Sequence, residues 1–259
     1  MTHSQIEVTI VQGIARVVIN RPAQRNALSS QTIEELTHAF SSFARQEDLR
    51  CVLLTGSGTE SFCAGADLQE LQSRSDPTQR RSFFVAIAKL ITVMRQCPVP
   101  VVCAVYGFAL AGGLGLVASS DIVIAAEDAV FGLPEVAVGL APMVVLAPLN
   151  TTVAQRQLSY LALTGERISA KQAQEAGLVT HVVPKDTLAA EADRVCAILK
   201  QRAPGAVRAT KAALRDIPLG DRTTFIFELA DRSALISLGA EALEGIAAFQ
   251  NKRPPAWKI

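Results

Sequence analysis

The chain has 259 residues, 49% of them hydrophobic, and 25 Lys and Arg against 24 Asp and Glu leave a net charge of +1. That length buries a substantial core as one domain, or one domain with an appendage, while no uninterrupted apolar run reaches the roughly 20 residues of a membrane span. The basic residues are spread without a block, which argues against nucleic acid as the main partner, and Met1-Thr2-His3-Ser4-Gln5-Ile6-Glu7 lacks the pattern of a signal peptide, so a cytoplasmic protein is expected.

Residues 6–11 and 15–19 read as short strands joined at Gly13, a hairpin. Ser29 or Ser30 is placed to cap a helix running to about Ala44, with Glu34 and Glu35 early, where acids suit the helix dipole. An apolar strand over 49–55 ends in the turn Gly56-Ser57-Gly58. A helix starts after Pro77, with Phe83, Phe84, Ile87, Leu90, Ile91 and Met94 at helical spacing. Residues 99–105 and 122–125 are further strands, separated by a helix that opens on glycines. Strand, turn and helix recur, and the continuous apolar strands predict a parallel sheet covered on both faces.

After a last strand over 179–183 and Pro184, the pattern is helical throughout: 186–202, 204–216, 221–236 and 238–250, punctuated by Pro204, Pro218 and Gly220. The expected organisation is a core over residues 1–185 and a helical subdomain over 186–259. Phe225, Leu229, Leu235, Ile236, Leu243, Ile246 and Phe249 give the late helices apolar faces with too little partner surface inside one domain, which predicts self-association.

Cys51, Cys63, Cys97, Cys103 and Cys196 show no Cys-x-x-Cys spacing, and most lie in apolar stretches, so buried reduced thiols are expected rather than a disulfide or a metal site. His3, His38 and His181 have no neighbours that suggest a triad, and Gly-x-Ser-x-Gly and Walker signatures are missing. Proton transfer in an enzyme of this composition falls to a carboxylate. The stretch Phe108-Ala109-Leu110-Ala111-Gly112-Gly113-Leu114-Gly115-Leu116 is the most informative. Glycine weakens a helix interior by about 1 kcal/mol relative to alanine, so three at a helix start imply close approach of the backbone to something else. Two readings are open: an anion or developing oxyanion at the free N–H groups, or tight packing of helix on sheet.

Several segments occur together in a fixed order: Asn20-Arg21-Pro22 with Asn26-Ala27-Leu28; Phe62-Cys63-Ala64-Gly65-Ala66-Asp67-Leu68; Tyr106-Gly107-Phe108 through Gly115, then Asp121; Phe131-Gly132-Leu133-Pro134-Glu135; Leu163-Thr164-Gly165 with Ala176-Gly177-Leu178-Val179; and Lys252-Arg253 near Trp257. In these the chain resembles the crotonase (enoyl-CoA hydratase/isomerase) superfamily over nearly its whole length. The resemblance implies an α/β fold, a crotonase-like spiral of ββα units with a helical C-terminal trimerisation subdomain. It also implies an acyl-CoA thioester substrate and a homotrimer or dimer of trimers. CoA would enter as part of the substrate, with no separate cofactor and no metal.

The resemblance further assigns an oxyanion hole to the backbone N–H groups of Ala66 and Gly112. Fixed donors of this kind stabilise the enolate charge that develops on a thioester oxygen, each worth about 3–4 kcal/mol of barrier. Glu135 matches the family's second catalytic glutamate, although Pro-Glu also fits ordinary capping of a helix start. Phe131, Leu133, Val136 and Val138 around it predict desolvation and a raised pKa. Arg25 stands where the family often places a basic residue against the nucleotide phosphates. Ala64, Asp67 and Leu68, with Ala27, Leu28 and Gln69 beside them, are expected along the adenine and pantetheine path. Many relatives carry Lys at position 69, so one phosphate contact is expected to be lost. Phe249 and Lys252 are expected to reach in from a neighbouring subunit, and Asp67 and Asp121 to bond local backbone N–H groups.

The chain departs from the family at Gly115, where hydratases with two glutamates carry the first. The glycine-rich turn often found after the second is replaced by Gly139-Leu140-Ala141-Pro142-Met143-Val144-Val145. The Gly115 gap is expected to admit a bulky or branched acyl group, or a second water. The resemblance then implies a hydro-lyase that adds water to the C2–C3 double bond of a straight, branched or glutaconyl-type enoyl-CoA with a single glutamate. One glutamate is also the pattern of Δ3,Δ2-enoyl-CoA isomerases, and a non-catalytic acyl-CoA-binding scaffold is an alternative of another class.

Overall fold

A computed structural model of the chain describes residues 4–217 and 223–257, apart from the side chains of Thr223, Thr224, Phe225 and Phe227. His3, Pro218, Gly220 and the Phe225 side chain therefore lie outside the described residues. The predicted hairpin forms from β1 (Ile6–Val11) and β2 (Ile14–Ile19). Then follow α1 (Ser30–Phe43), β3 (Cys51–Gly56), β4 (Ser61–Cys63), α2 (Leu68–Ser73), α3 (Pro77–Arg95), β5 (Val101–Val105), β6 (Phe108–Leu110), α4 (Gly112–Ala118), β7 (Ile122–Ala126) and β8 (Val130–Gly132). The remaining elements are α5 (Met143–Leu149), α6 (Gln155–Thr164), β9 (Arg167–Ser169), α7 (Ala170–Glu175), β10 (His181–Val183), α8 (Leu188–Lys200), α9 (Pro204–Asp216), α10 (Thr223–Ser237) and α11 (Ala240–Gln250). No described helix is long and apolar enough to cross a membrane.

Two sheets share the strands by turns. A six-stranded sheet has the order β1-β2-β3-β5-β7-β10 and a four-stranded one the order β4-β6-β8-β9. Each of the pairs β3/β4, β5/β6 and β7/β8 gives its first strand to the large sheet and its second to the small one. The apolar runs are parallel strands, as expected: β2 with β3, β3 with β5, β5 with β7 and β7 with β10. This is the spiral of ββα units, and it rests on alternation. Val52, Leu54, Cys103, Val105, Val123 and Ala125 face a large core that includes α1 and α3. Their neighbours Cys51, Leu53, Val102, Ala104, Ile124 and Ala126 face the opposite layer.

That opposite layer is α8, whose Leu188, Ala192, Val195 and Cys196 pack on the sheet. The boundary drawn at residue 185 thus separates α8 from the sheet it covers, and α8 goes with the core. The next helix is tied down by polar contacts. Lys211 Nζ donates to Val99 O (2.9 Å) and pairs with Asp121 Oδ2 (2.6 Å), and Arg208 donates to the carbonyls of Gln46, Glu47 and Leu49. Apolar side chains on the last two helices stay uncovered in the single chain, with Leu235 73% and Phe249 85% exposed.

Two local expectations change. Ser29 caps α1 by accepting from Thr32 N, but the first turn holds no acid. Glu35 instead accepts from the backbone N–H groups of Gln5 and Ile6 (2.8 and 3.1 Å), fixing β1 on the helix. Asp121 bonds non-locally, accepting from Val101 N (2.7 Å) at the start of β5. All five cysteines are buried and free, as expected, and Cys51 on β3 and Cys196 on α8 belong to one buried apolar cluster.

Candidate active site

The chain enters α4 through Ala111, whose φ of 51° and ψ of −122° lie outside the regions alanine prefers. Such strain persists only where the surroundings over-determine it. Here the Ala111 N–H donates to Gly132 O (3.0 Å), and the Ala111 methyl packs on Gly65. Gly65 has a φ of +99°, and a Cβ built on it would lie 2.6 Å from Ala111 Cβ, so the loop and the helix start meet backbone to backbone. The loop is held from its other side: Leu28 N donates to Gly65 O (2.7 Å) and Asp67 N to Leu28 O (3.0 Å). Among the described residues no acceptor faces the N–H of Ala66 or of Gly112. A Cβ on Gly112 would stand 3.7 Å from Ala66 N, so the two donors lie side by side. The glycine stretch does pack tightly, since a Cβ on Gly113 would lie 2.2 Å from the Cys63 carbonyl oxygen.

Glu135 stands on the single turn of 3₁₀-helix Pro134–Val138 that follows β8, and Gly139 closes the turn at a φ of 75°. Its Oε2 is buried with no hydrogen-bond partner. Burial pushes its pKa above the ordinary carboxyl value, as expected. The source of that burial differs from the expectation in part. Phe131 and Leu133 are buried, Val136 is 37% exposed, and Val138, 63% exposed, lines the cleft together with Glu135. Leu140, Val144 and Val145 are further apolar side chains lining that cleft.

The cleft has a volume of about 840 Å³, and Ala66, Gly112 and Glu135 all line it. Arg25, Ala64 and Leu68 do so too, with the Arg25 side chain mostly exposed and 3.9 Å from Glu60. The other expected contacts are not cleft walls. Leu28 is wholly buried behind Gly112, and Ala27 and Gln69 lie off the lining. The Asp67 carboxylate is engaged by Arg21 (3.0 Å) and by the N–H groups of Gln69 and Glu70 at the start of α2; these bonds hold its pKa down against the effect of burial. Phe249 and Lys252 do not line the cleft of their own chain.

Sequence reasoning missed one wall. Arg81, Phe84, Val85 and Ala88 form a second stripe on α3 beside the core stripe of Phe83, Leu90, Ile91 and Met94. Their spacing of three and four was a usable signal, and Phe84 belongs to the cleft stripe. A larger open groove of about 1110 Å³ between β1 and α1 shares no lining residue with this cleft.

The expected gap at Gly115 is not there. A Cβ on Gly115 would lie 2.6 Å from Val145 Cγ1 and 3.4 Å from Ile91 Cδ1. The space a side chain would need is filled by α5, so the room for a branched acyl group or a second water is taken by an isopropyl group.

The enoyl-CoA hydratase/isomerase family profile matches residues 9–259, and the chain belongs to that family. A mevalonyl-coenzyme A hydratase of Aspergillus fumigatus is 35% identical over 254 residues, covering 95% of this chain and 91% of the relative. The mitochondrial enoyl-CoA hydratase domain-containing protein 3 of Mus musculus is 32% identical over 247 residues, covering 95% and 81%. The crystal structure of an enoyl-CoA hydratase from Bacillus anthracis superposes with a TM-score of 0.93 at 33% identity, covering 98% of this chain and 99% of that one.

Proposed function

We propose that the protein is an enoyl-CoA hydro-lyase in which Glu135 is the single catalytic carboxylate and the N–H groups of Ala66 and Gly112 form the oxyanion hole. The observation that carries this reading is the buried, unpaired Glu135 Oε2 in the same cleft as two N–H donors without acceptors. Ionised Glu135 takes a proton from water as the water oxygen bonds to C3. The C2–C3 π electrons move onto the thioester oxygen as an enolate, which the two donors hold without reorganising. Glu135 then returns the proton to C2, so H and OH are added and the carboxylate is regenerated. The relative named as a mevalonyl-coenzyme A hydratase supports hydration as the reaction type.

CoA enters with the acyl group. Arg25 at the cleft rim is our candidate for its phosphates, and Ala64 and Leu68 for the pantetheine path. Phe249 and Lys252 would complete the site from a neighbouring subunit, in a trimer or pair of trimers formed over the exposed faces of the late helices. Light scattering at micromolar concentration tests this, with a monomer mass as the refuting result.

The reaction is tested by the loss of conjugated thioester absorbance with straight and branched 2-enoyl-CoA esters. Turnover is expected. The absence of a second carboxylate at Gly115 favours one other reading, isomerisation. Inert 2-enoyl esters together with conversion of 3-enoyl-CoA would establish it in place of hydration. Retained ester binding without turnover of any panel member would leave only the scaffold reading.

A further inference from the structure

We infer that Val145 sets how much bulk the reacting carbons of the acyl group can carry, so that the cleft selects thioesters unbranched at C3 over their 3-methyl counterparts. This rests on the acyl-CoA reading of the cleft. Gly112 and Gly115 are three residues apart on α4, about 4.5 Å along the helix axis. The Gly112 N–H is the proposed contact to the thioester oxygen, and C2 and C3 are the next two atoms of the acyl chain. Val145 Cγ1 lies 2.6 Å from where a Cβ of Gly115 would stand. It also lines the cleft with Gly112 and Glu135, which puts it beside the path those carbons take.

Val145 has little freedom to retreat. The residue is 3% exposed, Ile91 Cδ1 comes within 3.4 Å of the same Gly115 position, and Leu149, one turn on along α5, is wholly buried. A methyl group on C3 therefore competes for volume already taken by a clamped isopropyl group. Discrimination by a single methylene in a hydrophobic pocket is about 10- to 200-fold. The glycine on α4 is then the counterpart of the valine on α5, and the pair forms a wall that is apolar and tight.

The test uses calorimetric binding of butanoyl-CoA and 3-methylbutanoyl-CoA, saturated esters that cannot be hydrated. Wild type is expected to bind the unbranched ester about tenfold or more tightly. Val145→Ala should bring the ratio close to one by tightening the branched ester. Val145→Thr, of nearly the same volume, should keep the wild-type ratio. Equal binding of both esters by wild type would overturn the inference, as would an unchanged ratio in Val145→Ala or a ratio lost in Val145→Thr. Should Val145→Ala not fold, Val145→Ile, which adds a methylene to the same wall, is expected to widen the ratio further, and an unchanged ratio in it would overturn the inference. Because neither ester reacts, failure of hydration with 2-enoyl esters leaves this test standing. Failure of both esters to bind would instead remove the acyl-CoA reading and the inference with it.

Discussion

The methyl group of Ala111 packs directly on Gly65, at a separation that leaves no room for a second methyl, and this contact sets the spacing of the Ala66 and Gly112 donors. Gly65→Ala meets both that clash and a φ of +99° that alanine resists. The expected outcome is a fall in kcat of about 10²- to 10³-fold, the loss typical of a displaced oxyanion donor. Steady-state kinetics with a 2-enoyl-CoA, alongside a melting curve to confirm a folded variant, checks it.

Glu135→Gln should lower turnover by about 10²- to 10⁴-fold while CoA-ester binding is retained. Its effect on stability runs the other way. Burial raises the native pKa of Glu135, so the folded chain holds that proton more tightly than the unfolded chain does. In the window between the two pKa values, stability from this group falls as pH rises, and the loss is complete above the native pKa. Removing the ionisable group should leave the variant melting no lower than wild type at pH 7.

The same shift fixes a pH profile. Glu135 must be ionised to accept a proton from water, so kcat/KM should rise with pH through the raised pKa and level off above it. A profile that is flat down to the ordinary carboxyl range would contradict the assignment.

Gly115→Ala pushes a methyl into Val145 Cγ1. Overpacking of this kind costs about 1–3 kcal/mol, measurable as a lower urea midpoint. For the same reason Gly115→Glu will not install a second catalytic carboxylate, and its turnover should fall rather than rise.

Lys211→Met removes the cation that joins α9 to Asp121 and to the Val99 carbonyl. Loss of the charged hydrogen bonds should cost about 1.5–3 kcal/mol in denaturant unfolding. The half-exposed Asp121 moderates the penalty, because water can reach the carboxylate left behind.

Much of the architecture was legible in the residues. The runs around Val52, Val102 and Ile124 are apolar on both faces, and that pattern is diagnostic of parallel strands between two layers. Glu135 and the glycine stretch were visible as local motifs. The rest depends on complementarity between distant positions, which leaves no periodic trace. Nothing in the sequence near Gly115 shows that Val145, thirty residues later, fills its space. Asn26 is similar: wholly buried, it donates to the carbonyls of Ser57 and Ser61 and accepts from Arg21 N, a hub that its type alone does not reveal. The pairing of Lys211 with Asp121 spans ninety residues and moves α9 onto the core.

The strand order also dictates how the chain can fold as it is made. Beyond the β1–β2 hairpin, each neighbour in the large sheet is parallel and waits for the intervening segment. The far side of β7 waits longest, since Val123 N bonds to Thr180 Oγ1, fifty-seven residues downstream, and β10 pairs only after that. At about 5–20 residues per second of synthesis, the apolar strand Ile122–Ala126 has an unpaired edge for several seconds. A ribosome stalled near residue 180 would therefore display an open, hydrophobic edge to other nascent chains.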